Sequence, residues 1–314
     1  MRLGKYHSAL QAFEKAKTLA PGLPQIDLNL GLVYYREQDF RAAIPPFRRV
    51  LKQQPDHAQA RYLLGVSSFM TGNYRDAVSA LEPLANAERQ NPDFWCELGI
   101  AYGKLQRTED SARAFDRMLR AGADTAQMHL LLGVAHLQLD QLSAAQRELE
   151  KAAAIDPQLP FEHYNLGVVY QEQGKLDEAS AQFKTEIELA PGEPWSYESL
   201  GKIDRQKGDF EGALAMFRHA MGIDPRLVDA NDGVGEVLLS KNDPEHALPY
   251  FRRVVQLEPD SAKGHFQLGK AYEQAGQQQN AQREIAEAAR LQAAARRNLE
   301  RKMIGKLPVP SADF

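Results

Sequence analysis

The chain has a single cysteine, Cys96, in 314 residues, so an intramolecular disulfide and a thiolate metal cluster are both excluded. Tryptophan is nearly as scarce, with two residues, and aromatic residues make up 8%. No run of 18 apolar residues occurs, so no segment reads as a membrane-spanning helix. The opening Met1-Arg2-Leu3-Gly4-Lys5 has no apolar signal core behind it. Charge of one sign is also lacking, since 38 basic residues face 42 acidic ones. The resulting net charge of −4 gives no electrostatic reason to expect a nucleic-acid partner. Neither a phosphate-binding glycine loop, nor H-E-x-x-H, nor G-x-S-x-G is present, so no enzymatic activity and no cofactor are expected.

What the sequence does have is a period. Leu-Gly pairs place glycine at Gly31, Gly65, Gly99, Gly133, Gly167, Gly201 and Gly269, with Val234-Gly235 filling the one gap, and the spacing is 34 residues throughout. Twelve residues after each glycine stands a small residue: Ala43, Ala77, Ser111, Ala145, Ala179, Ala213, Ala247 and Ala281. Four further on stands a large apolar one: Phe47, Leu81, Phe115, Leu149, Phe183, Phe217, Phe251 and Ile285. Turn residues Gly72, Asp140, Gly174, Gly208, Asn242 and Gly276 fall between the two halves, types that tolerate the left-handed backbone ending a helix. Proline closes most units, at Pro55, Pro157, Pro191, Pro225 and Pro259. The glycine and the small residue let two helices approach closely, and the phenylalanine column is expected to plug the space between neighbouring units. Pro83 breaks the pattern and is expected to kink the second helix of its unit.

These columns resemble the tetratricopeptide-repeat family, with its 34-residue unit and its L-G-x2-Y…A-x3-F…P pattern. The resemblance implies an all-α, right-handed superhelical solenoid of antiparallel helix pairs. Residues 1–23 read as the second helix of an incomplete first repeat. Eight full units follow over 24–292, starting near 24, 58, 92, 126, 160, 194, 228 and 262. Residues 293–304 extend the last helix as a cap, and 305–314 read as a flexible tail. The last helix and tail carry seven basic residues between Asn280 and Lys306, which reads as a solvated capping face in preference to a lipid or nucleic-acid contact. The half unit at the start reads as the end of a longer array, so a lost signal or anchor would put the chain in the periplasm or on a membrane. A complete chain would be cytoplasmic.

In this family the first helix of each unit lines a concave surface, and the resemblance carries that role to four positions per unit around the glycine. It implies an apolar groove of Leu28, Leu32, Tyr35, Tyr62, Val66, Phe69, Ile100, Leu130, Val134, Phe161, Tyr164, Val168 and Trp195. Its polar end would be Lys202, Asp229, Asp232, Glu236 and Lys270. Some of the aliphatic residues in this set are alternatively packing between first helices. Asn29 and Asn165, two before glycine, resemble the peptide-holding asparagines of the repeat arm of O-GlcNAc transferase. No unit has the Lys–Asn pair of the carboxylate-clamping members. The expected function is a scaffold or adaptor for other proteins that holds an extended peptide or amphipathic helix. The alternative is a regulatory or substrate-docking arm of a larger enzyme truncated at its N-terminus. His129, His163 and His265 share a column but lie one repeat or more apart, too far for one metal ion, and no metal site is expected.

Overall fold

The computed structural model describes residues 3–20, 22–122 and 124–304, with side chains from residue 8 to 297. The expected tail at 305–314 lies outside them. Among the described residues there are seventeen α-helices and no strand. They fall into two compact parts, divided between Val169 and Tyr170. The first part holds α1 (Leu3–Leu19), α2 (Pro24–Arg36), α3 (Phe40–Gln53), α4 (Ala58–Met70), α5 (Tyr74–Leu81), α6 (Pro92–Lys104), α7 (Thr108–Gly122), α8 (Ala126–Gln138), α9 (Leu142–Ile155) and the start of α10 (Glu162–Glu172). The second holds α11 (Leu176–Leu189), α12 (Pro194–Lys207), α13 (Phe210–Ile223), α14 (Val228–Ser240), α15 (Pro244–Leu257), α16 (Ala262–Gln274) and α17 (Gln278–Ile304).

The even-numbered helices are the first of each repeat, and each turns back into its partner through one left-handed residue. Positive φ occurs at Gln38, Gly72, Gln106, Asp140, Gly174, Gly208, Asn242 and Gly276, again 34 residues apart. The amide that follows each of these residues reaches back to close the helix, as Asn73 N to Ser68 O at 2.8 Å and Gln277 N to Tyr272 O at 2.8 Å. Six of these turns use glycine, asparagine or aspartate. Gln38 and Gln106 adopt the same φ, 62° and 61°, without a side chain suited to it. Asp39, Asn91, Thr125, Asp209 and Ser261 cap the helices that follow them, each accepting from an amide three residues on.

The glycine column is where the helices of one repeat meet. A Cβ at Gly31 would lie 2.5 Å from the Phe47 ring, at Gly65 2.5 Å from Leu81, at Gly99 2.5 Å from Phe115, and at Gly235 2.6 Å from Phe251. The large apolar residue therefore sits on the glycine of its own repeat, a contact the expectation of a plug between neighbouring units did not include. It does both where Phe217 lies against Gly201 and also against Gly233 of the following first helix. Phe47, Leu81, Leu149, Phe183, Phe217 and Phe251 are wholly buried, whereas Ile285, the last of the column, is 37% exposed. The small column supports the same approach: the Ser111 hydroxyl donates to Gly99 O at 2.8 Å.

Pro83 does not kink a helix. α5 stops at Leu81, and Glu82–Leu84 tighten into a single 3-10 turn. Proline lacks the N–H that the carbonyl one turn back needs, and its ring crowds that carbonyl. The chain then turns as far as Asn91, which caps α6. Glu82 is held there by the Tyr102 hydroxyl at 2.8 Å and by Arg107 at 3.0 Å. First helices also stack on one another, α2 on α4, α4 on α6 and α6 on α8 in the first part, and α12 on α14 and α14 on α16 in the second.

Two substitutions in the second part test the glycine seat. Gly235→Ala is expected to destabilise by about 2 kcal/mol, since the methyl overlaps a ring with nowhere to go. Gly222→Ala, in open space within α13, is expected to stabilise by about 0.5 kcal/mol. Urea unfolding followed by circular dichroism reads both, and equal effects would refute the seat. At the first-part turn, Gln106→Gly is expected to gain about 0.5–1 kcal/mol by relieving the left-handed glutamine. A loss there would refute the strain.

Candidate partner-binding surfaces

In the first part, the positions assigned to the groove divide by burial. Leu28, Val66, Ile100 and Leu130 are each less than 8% exposed and fill the seams between helices, offering little to a ligand. Leu32, Tyr35, Tyr62, Phe69, Val134, Tyr164 and Val168 are half-buried. Tyr35 stands edge-on to Phe40 at 5.4 Å and Phe69 edge-on to Tyr74 at 5.9 Å, so both rings are steadied by the start of the second helix. Phe161, 37% exposed, precedes α10 with a left-handed φ of 67°.

Glu97 belongs to this surface, although sequence reasoning did not assign it. It stands two residues before Gly99, the column that holds Asn29 and Asn165, and one charged residue there was the available signal. Burial, reinforced by Asp93, pushes its carboxyl up to about 7. Its Oε2 is buried without a hydrogen-bond partner. Burial and then the charge of Glu97 raise the phenols of Tyr35 and Tyr62, the latter to about 12. The adjacent Cys96 thiol is pushed up to about 12 by burial and by Glu97, which makes it a poor nucleophile. α2, α4 and α6 thus bring two tyrosines and one reluctant carboxyl within electrostatic reach of each other.

The second part presents a different surface. Trp195 is 43% exposed, and Phe266, in the same column as Tyr62 and Tyr164, is 50% exposed. Beyond Trp195 the first helices turn ionic. α14 carries Asp229, Asp232 and Glu236 on one face, and the flanking first helices supply cations to each. Lys202 bridges Glu198 at 2.7 Å and Asp229 at 2.6 Å. Arg205 meets Glu236 at 2.8 Å, Gln267 donates to the other oxygen of Glu236 at 2.8 Å, and Lys263 meets Asp232 at 2.5 Å. Lys270 is exposed and lines a cavity of about 370 Å³ with Arg205, Glu236 and Gln267. A neighbouring cavity of about 460 Å³ is lined by Lys202, Arg205, Asp229, Asp232, Glu236 and Lys263, among others.

The histidine column is absorbed by the fold. His129 is buried between Asp124 and Glu148, at 2.7 Å from each. His265 lies 2.7 Å from Glu284 and 3.0 Å from Pro259 O, and His163 lies 3.3 Å from Pro157 O. His136, at a position where tyrosine stands in other repeats, packs edge-on to Phe115 at 5.2 Å. Among the described residues no three histidine, cysteine or acidic side chains are placed to hold a metal ion.

The raised carboxyl of Glu97 has a stability consequence. Between its ordinary value of 4.5 and about 7 the unfolded chain ionises while the folded one keeps its proton. The folded state then binds more protons, so this group's contribution is fully present below 4.5 and is lost as pH rises towards 7. Glu97→Gln removes that loss. The variant is expected to match the parent near pH 4.5 and to exceed it by roughly 2–3 kcal/mol at pH 7.5. Urea midpoints at the two pH values check this, and a difference independent of pH would contradict it.

Two models described as tetratricopeptide repeat match the sequence, one over residues 28–95, 96–160 and 235–298 and the other over 163–193 and 196–227. No curated protein sequence matches significantly. Two crystal structures of MamA align at 19% identity and TM-score 0.48, covering 53% and 59% of this chain and 97% of theirs. The crystal structure of the APC/C hetero-tetramer Cut9-Hcn1 aligns at 16% identity and TM-score 0.53, over 85% of this chain and 52% of that one. The last likeness is one of fold alone. Because the repeat models cover most of its length, this chain belongs to the tetratricopeptide-repeat family.

Proposed function

We propose that this protein is an interaction scaffold whose first part holds an apolar peptide or amphipathic helix of a partner protein. The observation that carries the reading is the recurrence of half-buried apolar and aromatic side chains on four of the first part's first helices: Leu32 and Tyr35 on α2, Tyr62 on α4, Val134 on α8, and Tyr164 and Val168 on α10. A half-buried tyrosine is already ordered by its packing, so covering its free side costs little further side-chain entropy. Such residues are the usual anchors of interfaces. The family's general role in binding other proteins agrees with this assignment.

Glu97 refines the class of segment. A carboxyl pushed up to about 7, with one oxygen unpartnered, favours an apolar segment that brings a hydrogen-bonding group to that one point. An acidic segment is disfavoured, because its charge would be desolvated beside Glu97 and Asp93.

A displayed peptide library selected on the intact protein tests this reading. Selected peptides are expected to be apolar at helical or alternating spacing. They are expected to bind a Tyr62→Asp, Val134→Asp, Tyr164→Asp variant at least tenfold more weakly, a change of about 1.4 kcal/mol. Circular dichroism must first show the variant to be as helical as the parent. Peptides that bind both proteins equally would place the binding surface elsewhere.

A further inference from the structure

Asp232, in the second part, is a buried charged group that is only half satisfied. It is only 6% exposed, lines the 460 Å³ cavity, and has one oxygen, Oδ1, that is buried with no hydrogen-bond partner. Its other oxygen, Oδ2, takes a single donor, Lys263 Nζ, at 2.5 Å. Buried carboxylates ordinarily have both oxygens satisfied, so half of this acceptor stands unused.

The cation opposite is the loosest of the ionic lattice. The Lys263 side chain is 68% exposed, against 35% for Lys202 and 40% for Arg205. Lys202 is held by two carboxylates, and Glu236 is held by Arg205 and Gln267 together. Lys263 has Asp232 as its near partner, with Glu236 at 3.8 Å. Of the three cations at this cavity, Lys263 is thus the most exposed, and when it leaves, Glu236 is still held by Arg205 and Gln267. An ammonium is a point donor that satisfies one oxygen, whereas a planar guanidinium delivers two parallel N–H groups to both oxygens of a carboxylate.

We infer that Asp232 is the receptor for an arginine side chain of a partner protein, and that Lys263 occupies it in the free protein as an internal substitute. Exchange of Lys263 for the incoming arginine leaves the charge of the cavity unchanged. Oδ1 gains the donor it lacks, and Lys263 passes into solvent, where most of its side chain already lies. A partner lysine would only repeat the contact Lys263 makes, so the site selects arginine. This surface is separate from the apolar one of the first part, and neither reading depends on the other.

The test uses the full chain and a peptide with one arginine flanked by alanines and blocked at both ends, titrated by NMR at low salt. Companion peptides carry lysine, or citrulline, which keeps the shape of arginine and loses its charge. Lys263→Ala is expected to bind the arginine peptide at least tenfold more tightly than the parent, and to prefer it at least tenfold over both companions. Asp232→Asn in the Lys263→Ala background is expected to erase the gain. The inference is overturned if Lys263→Ala binds no better than the parent, if citrulline or lysine serves as well as arginine, or if the gain survives Asp232→Asn. Should the double variant lose its helical circular dichroism, the comparison of arginine with citrulline on Lys263→Ala decides alone.

Discussion

A ring resting where a side chain is missing sets the geometry of this molecule. At Gly31, Gly99, Gly201 and Gly235 the aromatic ring of the second helix occupies the volume a Cβ would take, at separations no methyl could tolerate. The contact fixes how close the two helices of a repeat come and at what point along each they cross. Because glycine and the large apolar residue are sixteen residues apart in every repeat, the turn between them must be of constant length. A longer or shorter turn would move the ring off its seat and leave a void of the kind that costs a core several kcal/mol.

That constraint accounts for backbone choices that local sequence would not favour. Gln38 and Gln106 take a left-handed φ because the register demands a turn at that residue, whichever residue stands there. Pro83 ends its helix at Leu81, the large apolar residue that has by then reached Gly65. Helix beyond that point is dispensable to the seat, and the chain instead spends those residues on a 3-10 turn and a capped start to the next helix. The same register carries two unlike surfaces. On the first helices of the first part the free positions are tyrosines and aliphatic residues around one buried acid, and on those of the second they are acids and bases in mutual contact.

Both surfaces depend on how much water their neighbours exclude. Glu97 and Glu236 are the same residue type on the same kind of helix. Glu236 meets Arg205 and Gln267. Glu97 has burial and Asp93 instead, which push its carboxyl up to about 7. Opposite charges within contact distance favour ionisation and an apolar surround opposes it. The chemistry each helix offers is therefore set by the repeats on either side of it.

The sequence by itself determined the period, the all-α class, the family and six of the eight turns, because each rests on residue type at a fixed spacing: glycine for close approach, glycine, asparagine or aspartate for left-handed backbone. It could not distinguish Val66, buried in a seam, from Val134, half-buried on the surface, though both stand one residue after a glycine. Nor could it show that Glu97 is deprived of a counter-charge, or that Asp232 keeps one oxygen unpaired beneath an exposed lysine. Those properties were decided by tertiary structure alone. Burial and the electric field at a side chain depend on the bulk and charge of residues brought near from other helices, some more than thirty positions away, as Lys263 is from Asp232.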